Sequence, residues 1–512
     1  MNRSLDVRRG AVTALGRRFH EVASQSERTI LLGTILLATA LAAVTGYVLV
    51  QCFSVDVLSS LLWIPQDCWQ DRGINIGRHC FSDYSGVVQA GMRSNPWAPS
   101  PLVGPWNNYQ PMGSAYPAAG MVPHLLFGLP AKWLGVPQLG LVSYLLALTI
   151  AVLSPAVWAA RGAHGLERVV VFVALGAAAI PAWAVIDRGN SAGFAVPVAL
   201  IFLVALCRRR WTLVAVMVVL ASLIKPQFAV LAVALLAVRQ WRLGGMALAG
   251  VAVSNLVAYL LWPRNFPATI AQSMHNMSYY SHYFPGLVGL RNISFGRALL
   301  VVPDMAKAAR SGGIPDGFLA GPRSLIGYGV LALIVVSVLA LGRRIPPVMV
   351  GIVLLAGAAL SPGLVIFYYL VFALPIAAVV VRDPAGPPGA GIFERLASRD
   401  GRRRGVGMCV SFATALSIAQ VPVPGQANPI PVFGQLGAKG IIGTAQTVLT
   451  TAGLAPLLWL LACVVIIVSY ARRPAKWGDG SDQAGDVPRD TAARAKSRPT
   501  VVTTESSPRE SA

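Results

Sequence analysis

Residues 29–50, TILLGTILLATALAAVTGYVLV, form an apolar run without a charged side chain. A helix of about 20 apolar residues is long enough to cross the hydrocarbon core of a bilayer. The run is too long for the apolar part of a cleavable signal peptide, so we expect a membrane helix that is retained. The arginine-rich stretch before it, residues 1–28, is expected to form a basic cytoplasmic N-terminus.

The rest of the chain repeats this apolar pattern. Of its 512 residues, 55% are apolar and only 12% are charged, and the mean hydropathy is +0.62. Soluble proteins carry roughly 25% charged residues, so the composition excludes a soluble enzyme, a disordered chain and a secreted disulfide scaffold. We predict an all-α polytopic membrane protein with about twelve transmembrane helices within residues 29–470. The further apolar segments lie near residues 141–160, 169–186, 191–207, 211–224, 228–238, 244–262, 325–342, 346–363, 364–381, 406–422 and 443–470.

The positive charge is concentrated in short loops between the apolar segments. The net charge is +22, and arginine clusters occur at residues 208–210, 343–344 and 402–404. This placement follows the positive-inside rule and argues against a nucleic-acid partner. It predicts a multi-pass protein of the plasma membrane with both termini in the cytoplasm, including a polar tail, residues 471–512, that we expect to be disordered.

Two long loops are then expected on the outer face, at residues 51–140 and 263–324. Long loops in a compact domain usually carry function. Within the first loop, prolines interrupt the apolar segment 118–136, which we interpret as interfacial or re-entrant. Cys68 and Cys80 lie in the same loop and are close enough in sequence to form a disulfide in an oxidising compartment.

The sequence contains no CxxC or HExxH motif, so we expect neither a metal nor a cofactor. Four histidines are scattered over the outer segments, and we expect them at the surface or at the membrane interface: His79, His124, His275 and His282.

Asp83 is the candidate general base of the outer face. It lies in the sequence FSDY, residues 81–84, and the following loop mixes aromatic residues, prolines and polar side chains. Such a mixture suits a sugar-sized site, because aromatic faces cover sugar rings and amides bond their hydroxyls. The alternative is a solvated loop aspartate without a function.

Lys225 is the one lysine inside a long apolar stretch, ASLIKPQ at residues 221–227. A charge at membrane depth is costly unless it is paired or used, and the proline that follows interrupts the helix. Arg188 follows another apolar segment at the same predicted face. The two cations are a candidate pocket for a lipid-linked phosphate. Alternatively, Asp187 pairs with Arg188 or Lys225 and seals a helix end.

Several short motifs carry a family resemblance between residues 30 and 385. In order, they are DY at 83–84, SNPW at 94–97, YP at 116–117, RGNS at 188–191, KP at 225–226, RNIS at 291–294 and SP at 361–362. In this order the chain resembles the polyprenyl-phosphate-sugar-dependent glycosyltransferases of family 87, a branch of the GT-C membrane fold that includes actinobacterial mannosyltransferases. The sequence FYY, residues 367–369, stands where that family usually has histidines.

The resemblance implies an inverting glycosyltransferase of cell-envelope biosynthesis. Its donor would be a polyprenyl-phosphate-linked hexose, with mannose as the expected sugar, and its acceptor a glycolipid or lipoglycan at the outer face of the bilayer. It implies that Asp83 is the general base and that Lys225 and Arg188 bind the donor phosphate. The residues that would bind sugar or acceptor are Tyr84, Tyr116, Asn190, Asn292 and Tyr368. The alternatives are a transporter or flippase of a lipid-linked sugar and a catalytically silent relative.

Overall fold

The computed structural model describes residues 24–53, 81–99, 113–433 and 439–475. Most of these residues are helical. The helices are α1 (Glu27–Phe53), α2 (Ser82–Gly91), α3 (Ala118–Trp133), α4 (Pro137–Ala160), α5 (Gly165–Phe172), α6 (Ile180–Arg188), α7 (Ala195–Cys207), α8 (Trp211–Ile224), α9 (Val233–Ala237), α10 (Trp241–Ala258), α11 (Ala268–Ser281), α12 (Phe284–Val288), α13 (Phe295–Leu299), α14 (Val301–Ser311), α15 (Ala320–Leu341), α16 (Pro347–Leu360), α17 (Ala373–Val381), α18 (Ile392–Asp400), α19 (Arg404–Ile418) and α20 (Ala455–Arg472).

Short helical segments of other types extend or connect these helices. A π-helical segment, Val173–Ala177, continues α5. The 3₁₀ segments are Ser191–Phe194, Pro226–Ala232, Tyr259–Leu261, Gly342–Arg344, Phe367–Phe372 and Thr451–Leu454.

Five helical stretches of the described chain are long and apolar enough to cross a bilayer. They are Glu27–Phe53, Pro137–Ala160, Trp241–Leu261, Ala320–Arg344 and Thr451–Arg472, and the bent pair α5–α6 would be a sixth. An α-helical membrane protein is therefore confirmed. The remaining predicted segments are apolar helices of 10–17 residues, which are short for a crossing, so twelve crossings are not confirmed.

The short helices have two physical causes. Pro226 and Pro362 follow the ends of α8 and α16 and prevent the helices from continuing. All residues of α16 and α17 are buried among the other helices. Because such helices are surrounded by protein, their length need not match the thickness of the bilayer.

The predicted apolar segment 443–470 is in part wrong. The strands β1 (Pro422–Phe433) and β2 (Lys439–Thr450) pair as an antiparallel hairpin, and the helix α20 begins only at Ala455. The second strand, KGIIGTAQTVLT, contains β-branched residues and two glycines, which favour a strand over a helix. A short apolar run with this composition is ambiguous between the two structures.

Both predicted outer loops contain helices. The first includes α2 and α3, and α3 is not among the stretches that could span a membrane. The second, residues 263–324, contains α11 to α14. Arg323 Nη1 donates to Asp304 Oδ2 at 2.9 Å, and this buried ion pair fastens α14 to the start of α15. The predictions for Cys68, Cys80 and His79 lie outside the described residues, as does the tail from residue 476.

The bundle has a basic end, which we define by Arg28, Arg208, Arg382 and Arg403. Arg28 pairs with Glu167 at 2.6 Å, and Arg208 donates to the carbonyl oxygen of Pro384 at 2.8 Å. The starts of α1 and α5 and the end of α7 therefore lie at the same end of the bundle. The helix α6 follows α5 with a bend of 46°, and α8 starts just after Arg210, so the ends of α6 and α8 lie away from the basic end.

Candidate functional site

Asp83 lies in the first turn of α2 and forms a bidentate ion pair with Arg188 at the end of α6. Arg188 Nε donates to Asp83 Oδ2 at 3.0 Å, and Arg188 Nη2 donates to Oδ1 at 3.1 Å. The side chain of Asn190 donates to Oδ2 at 2.7 Å. The exposed fraction of the Asp83 side chain is 15%. The alternative of a solvated loop aspartate is therefore wrong.

Arg188 and Asn190 determine the charge state of Asp83. Burial alone would raise its pKa, but the attraction of Arg188 and the hydrogen bonds from Arg188 and Asn190 outweigh burial and lower the pKa below its usual value of 3.8. The carboxylate is therefore ionised at neutral pH. Because Oδ2 accepts two of these hydrogen bonds and Oδ1 accepts one, Oδ1 keeps a lone pair for another donor.

Gly189 allows Arg188 and Asn190 to approach α2. It ends α6 in the left-handed region, with φ of 63°, which favours glycine. A Cβ atom at this position would lie 2.8 Å from the Cβ of Tyr84, too close for ordinary packing. Tyr144 donates its hydroxyl to the carbonyl oxygen of Gly189 at 2.9 Å and holds the turn in place.

The Asn190 side chain contacts three of the other predicted site residues. Its Nδ2 lies 2.9 Å from the Tyr116 hydroxyl and 3.0 Å from the Tyr368 hydroxyl, in addition to its bond to Asp83. Its Oδ1 accepts from the backbone N–H of Ala192 at 2.9 Å, which fixes the orientation of the amide. The amide carries two hydrogens for these three acceptors, so beside Asp83 it donates to one of the two tyrosine hydroxyls at a time.

The Tyr116 hydroxyl stays protonated at neutral pH. Burial and the charge of Asp83 hold the pKa of Tyr116 well above its usual range. The Arg188 guanidinium also lies 5.6 Å from the centre of the Tyr368 ring. The site therefore combines one carboxylate with hydroxyl donors and a cation.

Lys225 stands between α8 and the 3₁₀ segment Pro226–Ala232, where the following proline favours extended backbone. Its Nζ lies 4.4 Å from the centre of the Tyr116 ring and 5.8 Å from that of Tyr369. No carboxylate of the described chain pairs with this ammonium. Lys225 is buried, and its charge is stabilised by aromatic faces and by the more distant Asp83.

His124 is a member of the cluster that the sequence did not identify. The sequence predicts it at the surface or at the membrane interface. It is instead fully buried in α3, with its ring 5.2 Å from that of Tyr144 and 5.7 Å from that of Tyr116. Its ring lies near the backbone of Gly120 and Gly189, but within the described chain neither ring nitrogen reaches full hydrogen-bond geometry. Burial, followed by the charge of Lys225, lowers the pKa of His124 to about 3, so the imidazole is neutral.

A sequence signal for His124 was available. Gly120 and Gly128 lie one helical turn before and after it, which marks a helix face that neighbours approach closely. A Cβ on Gly128 would lie 2.5 Å from Val88, and one on Gly120 would lie 3.2 Å from the carbonyl oxygen of Ile224. By contrast, His275 and His282 are exposed, as the sequence predicts.

Two residues that were predicted to bind ligand instead contact only other parts of the protein in the structure. Tyr84 is 1% exposed, and its ring packs 4.7 Å from that of Tyr144. The Asn292 amide forms four backbone hydrogen bonds, with Leu287, Ser294, Gly363 and Val365, at 2.8–3.0 Å. These bonds use its full capacity and fasten the segment that leads to Tyr368.

No group of three histidine, cysteine, aspartate or glutamate side chains that could hold a metal ion occurs among the described residues. Comparison with protein-family models, with curated proteins and with solved structures gives no match to the chain. The resemblance to family 87 stays a prediction from the motifs.

Proposed function

We propose that the protein is an inverting membrane glycosyltransferase. In this proposal it moves a hexose, with mannose as the first candidate, from a polyprenyl-phosphate donor to a glycolipid or lipoglycan acceptor. The observation that carries the proposal is that an ionised Asp83 and the Lys225 ammonium lie in one cluster, joined through Asn190 and the Tyr116 ring. An inverting displacement needs a base at the acceptor oxygen and a cation at the departing phosphate.

Asp83 would remove the proton of the acceptor hydroxyl. The acceptor oxygen attacks the anomeric carbon from the face opposite the phosphate, and the bond between that carbon and the phosphate oxygen breaks with its electron pair on the phosphate. The acceptor proton passes to Oδ1 of Asp83, which keeps a lone pair. Because the pKa of this carboxyl is low, we place the transfer late, when the new bond has made the oxygen acidic.

The two predicted phosphate ligands take different roles in this proposal. Arg188 already donates two hydrogen bonds to Asp83, so we assign it to the orientation and charge of the base. Lys225 has no carboxylate partner in the part of the chain that the structure describes, so we assign the leaving phosphate to it. The hydroxyls of Tyr116 and Tyr368 can donate to the same oxygens.

The position of the site favours chemistry at the outer face. Asp83, Arg188 and Lys225 lie opposite the basic end of the bundle, where α1 begins and α20 ends. If the basic end faces the cytoplasm, as the positive-inside rule predicts, the site faces outward in the plasma membrane and both termini are cytoplasmic. The helices α2 and α3 would then exclude water, which competes as an acceptor.

The test is transfer of radiolabelled mannose from synthetic polyprenyl-phosphate-mannose in membranes that contain the wild type or Asp83→Asn. Loss of a general base typically costs about 10²- to 10⁴-fold in rate, so we expect transfer to fall by that factor with donor binding retained. The matched control is Asp316→Asn, at an exposed aspartate of the second outer loop, which should transfer like the wild type.

Two results would contradict the proposal. Equal transfer by Asp83→Asn and the wild type would remove Asp83 from the mechanism. Movement of the lipid-linked sugar across reconstituted vesicles, without any transfer to an acceptor, would establish the transporter or flippase instead.

A further inference from the structure

A second polar cavity lies at the basic end, far from Asp83 and Lys225. It is bounded by the start of α1, by α18, by the start of α19 and by the end of α20; about 10 Å³ of it admits a water-sized molecule, and its mouth is open to solvent. One wall is apolar and includes Phe393, Leu396 and Val406. The other carries Arg402 and Arg403. The cavity is therefore amphipathic.

Positive charge exceeds negative charge around this cavity. Glu27 binds Arg402 and Arg404, at 3.3 Å and 3.0 Å. Asp400 is the second carboxylate nearby, since its charge acts on Tyr470 in the cavity wall. Arg403 and Arg473 complete the group, so that four arginines face two carboxylates. Two positive charges remain for an anion from outside the chain.

The arginine side chains retain donors and exposure. Among the described residues, Arg403 Nε and Arg404 Nη2 are buried without a hydrogen-bond partner. The Arg402 side chain is 45% exposed. Arg473 is also exposed, and its Nη2 would lie 3.1 Å from a Cβ on Gly401 in the cavity wall. An incoming anion can thus reach both guanidinium groups at the mouth of the cavity.

The helix α19 adds to this positive potential. It begins at Arg404 without a side-chain cap and without an acidic residue in its first turn. The first backbone N–H groups of a helix lack partners within the helix, and the helix dipole favours an anion beside them. Glu27 occupies one side of this helix start, since its Oε1 would lie 2.9 Å from a Cβ on Gly407.

We propose that this cavity binds the phosphate group of an anionic phospholipid, independently of the glycosyltransferase proposal. The headgroup phosphate would contact Arg402 and Arg473 at the mouth of the cavity, and the acyl chains would stay in the bilayer beside α1 and α20. A lipid fits better than a soluble anion because α1 and α20, which bound the cavity, are both long enough to span a bilayer. The cavity then lies at the level of the headgroups, where basic pockets between helices bind anionic lipids.

The test uses the full chain purified in detergent and follows its thermal unfolding midpoint during titration with dioleoylphosphatidylglycerol. The cavity variant is Arg402→Gln with Arg473→Gln, and the matched control is Arg242→Gln with Arg343→Gln, which removes two exposed arginines from outside the cavity. Each arginine near an anionic lipid contributes about fivefold in affinity. The half-saturating lipid concentration should therefore rise roughly 25-fold in the cavity variant and stay unchanged in the control.

Three results would overturn the proposal. Equal weakening in both variants would show that lipid responds to the basic surface as a whole. An equal midpoint shift with dioleoylphosphatidylcholine would show that charge is not recognised, and an equal shift with inorganic phosphate would assign the cavity to a soluble anion. If the double variant does not fold, Arg473→Gln alone serves, with about a fivefold effect expected, because the Arg473 side chain pairs with no carboxylate of the described chain.

Discussion

Replacing Arg188 by glutamine separates its role at Asp83 from a role at the donor phosphate. In the wild type the pKa of Asp83 lies below 3.8, because Arg188 outweighs the effect of burial. Glutamine retains a hydrogen-bond donor but removes the charge. Burial is then opposed only by the Asn190 hydrogen bond and the more distant Lys225 charge, and the pKa of Asp83 must rise.

The size of the change follows from the ion pair. Two unit charges about 4 Å apart interact by about 4 kcal/mol at an effective dielectric constant near 20, and an arginine beside an aspartate typically lowers its pKa by about one to three units. We therefore expect the acid limb of the pH–rate profile to move up by about one to three pH units. The sign is fixed: the variant loses activity as the pH falls through this range and recovers it as the pH rises.

The assay is sugar transfer by membranes between about pH 4 and pH 8, normalised to the amount of folded protein. The control is Arg93→Gln, because Arg93 belongs to the same outer region but donates to the carbonyl oxygen of Pro99 and not to Asp83. Its profile should match that of the wild type. An acid limb for Arg188→Gln that coincides with the wild-type limb, even at reduced rate, would refute the assignment of Arg188 to the base.

Two further predictions concern Lys225 and Asn292. Lys225→Gln should lower kcat/KM for the donor about 10- to 150-fold, since a hydrogen bond from a charged group is worth about 1.5–3 kcal/mol. Its acid limb should move up less than that of Arg188→Gln, because Lys225 contributes less than Arg188 to lowering the pKa of Asp83. An unchanged kcat/KM in steady-state transfer assays would show that Lys225 does not bind the phosphate. Asn292→Ala should lower the free energy of unfolding by about 2–3 kcal/mol, because its backbone partners are left unsatisfied. Thermal unfolding measures this loss, and transfer assays should show an unchanged KM for the donor. A raised KM at wild-type stability would show that Asn292 binds the ligand.

Local chemistry in the sequence was enough to place the helix ends around the site. Pro226 and Gly189 both mark such ends, and each carries a site residue beside it, Lys225 in one case and Arg188 with Asn190 in the other. Neighbouring helices that run in opposite directions through a bundle place the end of one helix beside the start of the next, on the same side of the bundle. The sequence could thus group these residues at one end, although Asn190 and Tyr368 are 178 positions apart.

The partner of each cation could not be predicted from the sequence. Asp187 is the neighbour of Arg188 in the chain, yet the bidentate pair that the structure shows is with Asp83, 105 positions away. That choice depends on how closely α2 approaches the end of α6, which Gly189 permits. The position of His124 and the β1–β2 hairpin depend in the same way on packing between distant segments, which outweighs local pattern.

The connections of Asn190 bear on the choice between transfer and transport. Its amide joins α2 through Asp83, the segment before α3 through Tyr116, and the segment before α17 through Tyr368. A transporter must open its site to the other side of the membrane, which here would break these bonds together with a largely buried ion pair. Breaking such a pair by separating its partners costs several kcal/mol unless new partners replace them. A transferase works from one face and gains from a network that does not reorganise, because fixed donors and charges stabilise the transition state at no further cost. The same bonds that would hinder transport therefore favour catalysis at a single face.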